Sequence, residues 1–227
     1  MQLNGYLRYT AAMAATDGLD TRSSGHIKVK DATLTRRRIL DAAIREFSAA
    51  GLAGARIDRI ADAAEANKAM IYRYFTSKDR LFDAVFDAIV VATVDAVPLD
   101  VEDLPAYAAA LFEQHLRQPD ILRIATWDRL ERNGAGNNLP SVVEATQSKI
   151  EQIRTAQNDG RLTRAYPAEM ILRIVISLSQ PPLGAIATPE DSRCVATAVK
   201  AALDLGSPTL PGSCAGSYDS GNERSDA

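Results

Sequence analysis

Cysteine, histidine and aromatic residues are scarce in this sequence. Its 227 residues hold two cysteines, Cys194 and Cys214, and two histidines, His26 and His115. That supply makes neither a disulfide framework nor a metal-binding spacing. No Gly-rich phosphate loop, zinc-ligand spacing or nucleophile elbow occurs. An enzyme, a metal and a cofactor are therefore not expected. No run of about 18 uncharged apolar residues appears, so no membrane span is expected. The N-terminus lacks the long apolar core of a signal peptide, and a cytoplasmic protein is the simplest reading. Aromatics make up only 6% of the chain while alanine is abundant, which favours helices over sheets.

What is present is apolar content of 46%, enough for sizeable cores, and an uneven charge. The net charge of −3 argues by itself against a nucleic-acid partner. Its distribution argues the other way. Residues 28 to 80 hold twelve Lys and Arg against seven Asp and Glu, so the remainder carries −8. A basic module on an acidic body is the asymmetry expected when one part meets phosphates.

Within that module, Ile57, Ile60, Ala61 and Ala64 fall on one face of a short helix. Asn67 is a good N-cap for a second helix running through Ile71 to Phe75. Only Glu65 and Ala66 remain for the turn between them. Two helices joined so closely cross steeply, as in a helix-turn-helix. The second helix of such a pair lies in the DNA major groove. Upstream, Ile39, Ala43 and Phe47 mark a supporting helix from about Thr35 to Ala50, ended by Gly51. Arg36, Arg37 and Arg38 at its start read equally as phosphate contacts or as solvent-facing charge.

These residues carry a resemblance. Arg38 to Ala43, Phe47, Gly51, Ile60-Ala61, Ala64, Asn67, Ile71-Tyr72, Tyr74-Phe75, Ser77-Lys78 and Leu81 together resemble the tetracycline-repressor-like (TetR) family of bacterial regulators. The match covers roughly residues 33 to 93, and Tyr107 to Glu131 resembles the C-terminal domain of some members more weakly. The sequence departs from the family at three positions. Glu65 stands where Gly usually eases a left-handed turn, at a cost of about 1 kcal/mol. Ala69 replaces Gly or a similarly small residue. Arg56 replaces a capping Thr; it cannot cap, but it can reach a phosphate.

The resemblance implies an all-α fold: an N-terminal three-helix helix-turn-helix DNA-binding domain plus a C-terminal helical ligand-binding and dimerisation domain. The expected parts are a mobile arm (1–32), the DNA-binding domain (33–94), the effector-binding and dimerisation domain (95–206) and a disordered tail (207–227). Expected DNA contacts are Arg56, Asn67, Lys68, Ala69, Met70, Tyr72, Arg73, Tyr74 and Lys78. Lys and Asn carry the donors that base edges and phosphates need. Tyr72 offers its hydroxyl to phosphate, while Tyr74 leans towards packing. Lys78 is expected in the first turn of a helix capped by Thr76, where backbone N–H groups suit a phosphate.

Beyond Pro98 the chain reads as helices over Leu104–Arg117, from Pro119 to Leu130, from a Ser141/Glu144 capping box to Asp159, Pro167–Ser179 and Thr188–Leu205. In the family the last two pair with their copies in a dimer, so Ile174 and Val199 are expected at the interface. Phe112, His115, Trp127 and Met170 are the candidates for an effector pocket that takes a small apolar molecule. The expected protein is a homodimeric repressor of double-stranded operator DNA, released by that effector. A helical small-molecule binding or enzymatic protein with a vestigial DNA-binding domain is the alternative.

Overall fold

The computed structural model describes residues 25–181, 188 and 190–204. The expected tail and the first 24 residues of the expected arm lie outside these. Among the described residues the chain forms nine α-helices and one short 3-10 turn, with no strand.

Helix α1 spans Gly25–Gly54 and begins about ten residues before the expected Thr35. Gly51 interrupts it at φ 69° and ψ −176°, a backbone combination that essentially only glycine adopts, although not the αL geometry of a C′ residue. Helices α2 (Ile57–Ala63) and α3 (Lys68–Phe75) form the close pair. Ile39, Phe47, Ile60, Ile71 and Phe75 are all buried between them and α1. Glu65 is in the left-handed region at φ 51°, and Arg38 Nη1 reaches its carboxylate at 2.9 Å. The tight connection therefore persists without glycine.

Helix α4 (Lys78–Ala96) starts one residue later than the capping reading requires. Ser77, not Thr76, is its N-cap, with Oγ accepting from the Arg80 N–H at 3.1 Å. Thr76 instead closes α3 at φ 58°, and so cannot adopt the extended backbone of an N-cap. Helix α4 enters both halves of the molecule. Leu81, Phe82 and Val85 complete the first core. That core also takes in Ile124 and Val142 from well beyond residue 94.

Helix α5 (Leu104–Arg117) is capped by Asp103, whose carboxylate accepts from the Ala106 N–H at 2.9 Å. Helix α6 (Asp120–Arg132) packs on α1. Helix α7 runs over Pro140–Asn158 without the expected capping box; Leu139 is the N-cap, and the Ser141 hydroxyl donates to Asp87 of α4. Helices α8 (Ala168–Leu178) and α9 (Asp191–Asp204) close the second core with α5. Val199 is fully buried in that core, so it supports the monomer rather than facing a partner. On α8, Met170 and Leu178 are exposed and Ile174 is half-buried. Their four-residue spacing puts these three on one stripe.

Candidate nucleic-acid interface and effector cavity

The outward face of α3 follows from its two anchors. Ile71 and Phe75, four residues apart, are buried, which turns the opposite side of the helix to solvent. Asn67, Lys68, Ala69, Tyr72 and Arg73 are exposed there, and Met70 is half-buried. Asn67 Oδ1 accepts from the Met70 N–H at 2.7 Å, so the capping role fixes the side chain at the start of the helix. Its amide donors stay available. Lys68 Nζ lies 2.6 Å from Asp58 Oδ1, an exposed ion pair that raises the pKa of the lysine. The ammonium keeps its other N–H donors for further acceptors.

Two expected contacts have structural duties as well. The Tyr74 hydroxyl donates to the Ala32 carbonyl of α1 at 3.4 Å, and its ring faces Arg73 at 5.3 Å, in keeping with the packing reading. Lys78 Nζ donates to the Ala53 and Ala55 carbonyls at 3.3 and 3.2 Å. The lysine thus braces the end of α1 and keeps one N–H for another acceptor. Arg56 is exposed and gives α2 no side-chain cap. Glu46 of α1 accepts the Arg56 N–H at 3.0 Å and so ties the entry of α2 to α1 without replacing the cap. The arginines at the start of α1 also have partners: Arg36 covers the Phe75 ring at 5.3 Å, Arg37 meets Asp41 at 3.9 Å and Arg38 meets Glu65.

A cavity of about 230 Å³ lies between α4, α5, α6, α7 and α8. Of the four expected lining residues only His115 reaches it. Trp127 points the other way: its indole N–H donates to the Ser48 carbonyl at 3.2 Å, and a Cβ at Gly51 would come within 2.8 Å of its ring. Phe112 is buried away from the cavity wall, and Met170 is on the outer surface. Helical phase separates these residues. Tyr107, Leu111 and His115 share one face of α5 and line the cavity, while Phe112 is turned one residue past it.

His115 Nδ1 lies 2.9 Å from the Ser179 carbonyl oxygen, to which it can only donate. Burial lowers the pKa of the ring, and in the neutral form Nε2 is left as an acceptor. Tyr107 and Lys149 also line the cavity, and sequence reasoning missed both. The available signal was the pair of four-residue steps Tyr107, Leu111, His115, and a similar phase of Val142, Thr146 and Lys149 on α7.

Helices α4 and α6 connect this cavity to the helix-turn-helix half. Phe86, Ile89, Ile121 and Ala125 line the cavity. On the same helices, Asp83 accepts from Arg132 at 2.5 Å, and Glu131 accepts the Leu52 and Ala53 N–H groups at 2.6 and 3.0 Å. Arg132 also lies over the Phe82 ring at 5.0 Å.

Residues 39–85 match the family of bacterial regulatory proteins named for tetR, and residues 103–202 match a tetracyclin repressor-like C-terminal domain. The chain is 35% identical over 153 residues to the HTH-type transcriptional repressor SCO4008 of Streptomyces coelicolor, covering 66% of this chain and 79% of that protein. It is 33% identical over 121 residues to the HTH-type transcriptional repressor NicS of Pseudomonas putida, covering 50% and 57%. Among solved structures, the putative transcriptional regulator SCO4942 of Streptomyces coelicolor superposes with a TM-score of 0.66 at 31% identity, covering 75% of this chain and 98% of that one. A putative tetR family regulator from a Shewanella species shares the fold with a TM-score of 0.60 at 18% identity, covering 74% and 95%. The helix-turn-helix, the second helical core behind it and these likenesses lead to one assignment: the chain belongs to the TetR family and is a DNA-binding transcriptional regulator.

Proposed function

We propose that this protein is a cytoplasmic repressor that occupies operator DNA as a homodimer and leaves it when a small molecule fills the cavity. The observation that carries the reading is the outward face of α3. Asn67, Lys68, Ala69, Tyr72 and Arg73 are exposed together on a helix anchored by Ile71 and Phe75. The start of this helix supplies the base-edge contacts, with Met70 beside them. Arg56, Tyr72 and the spare N–H of Lys78 reach phosphates, which hold the register without reading sequence. Tyr74 contributes by holding α3 on α1.

The stripe Met170, Ile174 and Leu178 on α8 supports pairing of two copies, with the exposed side of α9 beside it. A two-fold dimer reads two half-sites about one helical turn, or a multiple of it, apart. Release follows from the shared helices α4 and α6. A ligand that binds better when the α3 helices are wrongly spaced weakens DNA binding by the same coupling factor.

The test is a footprint on the DNA upstream of the protein's own gene. The expected result is a protected, inverted-repeat site whose half-sites lie about one or two helical turns apart. Protection lost with Lys68→Ala and Tyr72→Ala together, and kept by the unaltered chain, supports the assignment. Protection that ignores both substitutions refutes it.

A further inference from the structure

The cavity is largely apolar, but one end of it is not. The Tyr107 hydroxyl is buried and has no hydrogen-bond partner. Buried hydroxyls are almost always paired, so an orphan that lines a cavity points to a missing polar atom. The Lys149 ammonium lies 5.8 Å from the centre of the same tyrosine ring. It has no carboxylate partner among the described residues, and burial lowers its pKa. A half-buried cation without a carboxylate, facing the ring that carries a buried and unsatisfied hydroxyl, favours an anion that pairs with both. The walls further along are Ile89, Leu111, Leu172 and Ile176. His115 stands two helical turns beyond Tyr107 on α5, about 12 Å away.

We propose that the cavity takes a small amphipathic carboxylate, with its head between the Lys149 ammonium and the Tyr107 hydroxyl and its apolar body along Leu111 towards His115. The inference rests on the reading of this cavity as the effector site. The space of about 230 Å³ equals roughly eight water volumes, so the ligand has on the order of ten non-hydrogen atoms. An anion beside Lys149 opposes the lowering of its pKa by burial and so favours the ammonium further. Neutral His115 offers an acceptor rather than a second cation, so one anionic end is served and the other is not.

The experiment uses three probes of equal chain length, octanoate, octanol and octylamine, with calorimetry and thermal melting of the full chain and no DNA. Octanoate is expected to bind about tenfold or more tightly than octanol, and octylamine not to bind. Lys149→Met, which keeps the bulk of the side chain, is expected to remove the preference for octanoate over octanol. Tyr107→Phe is expected to reduce it. Far-ultraviolet circular dichroism of each unliganded variant checks that it folds. Equal binding of octanoate and octanol, an unchanged preference in a folded Lys149→Met, or no binding by any probe overturns the proposal. A separate gel shift distinguishes the two readings. Carboxylate binding in a chain that never binds DNA defeats the repressor reading alone, whereas DNA binding without carboxylate binding defeats this one alone.

Discussion

Replacing Trp127 with alanine separates a joint between the two halves from a wall of the effector site. A fully buried Trp→Ala change costs about 3–5 kcal/mol. Trp127 is half-buried, so about 2 kcal/mol of packing is at stake, and the lost N–H bond to the Ser48 carbonyl adds about 1 kcal/mol. At about 2–4 °C per kcal/mol for a chain of this size, the melting temperature falls by about 6–12 °C. Gly51 gives an internal check. An alanine Cβ there would come within 2.8 Å of the Trp127 ring and 2.7 Å of Glu131 Oε1, at φ 69°. Without the indole the first clash disappears while the strain and the second remain. Gly51→Ala should therefore destabilise Trp127→Ala less than it destabilises the unaltered chain, with a coupling on the order of 1 kcal/mol. Chemical denaturation of the four proteins measures it. An unchanged melting temperature together with altered ligand affinity would refute this placement of Trp127.

Lys78→Ala should lower stability by about 1–2 kcal/mol through two lost bonds to the α1 carbonyls. If its spare N–H meets a phosphate, the salt slope of DNA binding should also fall by about one unit; an unchanged slope leaves the lysine with bracing alone. Ile174→Glu with Leu178→Glu should give folded monomers by light scattering, and a persistent dimer would locate the interface elsewhere; Val199→Glu should unfold the chain instead, because that residue is internal. His115 has a folded-state pKa below its ordinary value of 6.5, so the unfolded state binds the extra proton first. Its stabilising contribution is present above about pH 6.5 and is lost as pH falls through the depressed value. His115→Gln should flatten that part of the stability–pH curve measured by urea titration.

The helix-turn-helix was legible because its information is local. The positions of Ile71 and Phe75 fix which side of α3 faces outward, and Asn67 fixes where the helix starts. Even the departure at Glu65 was readable, since the left-handed turn depends on its neighbours and not on glycine being present. The cavity was much less legible. Trp127 and Met170 belong to apolar stretches, and such a stretch does not say which of several partners it meets. Trp127 was claimed by Gly51 of a distant helix, and Met170 by the surface. Lys149 belongs to no motif, and its place on α7 does not say what it faces. Only the tertiary fold brings it within 5.8 Å of the Tyr107 ring on α5. Caps were missed by one or two residues where a side chain found another partner, as Ser141 did in Asp87.

The central claim, that the exposed face of α3 holds this protein on DNA, is tested most directly by fluorescence anisotropy with a duplex from its own upstream region, titrated across salt concentration. The account predicts tight binding with log Kd rising linearly with log salt, and an affinity lowered when Lys68 or Tyr72 is replaced by alanine. Binding with no salt dependence, or a slope and affinity indifferent to both Lys68→Ala and Tyr72→Ala, would contradict it.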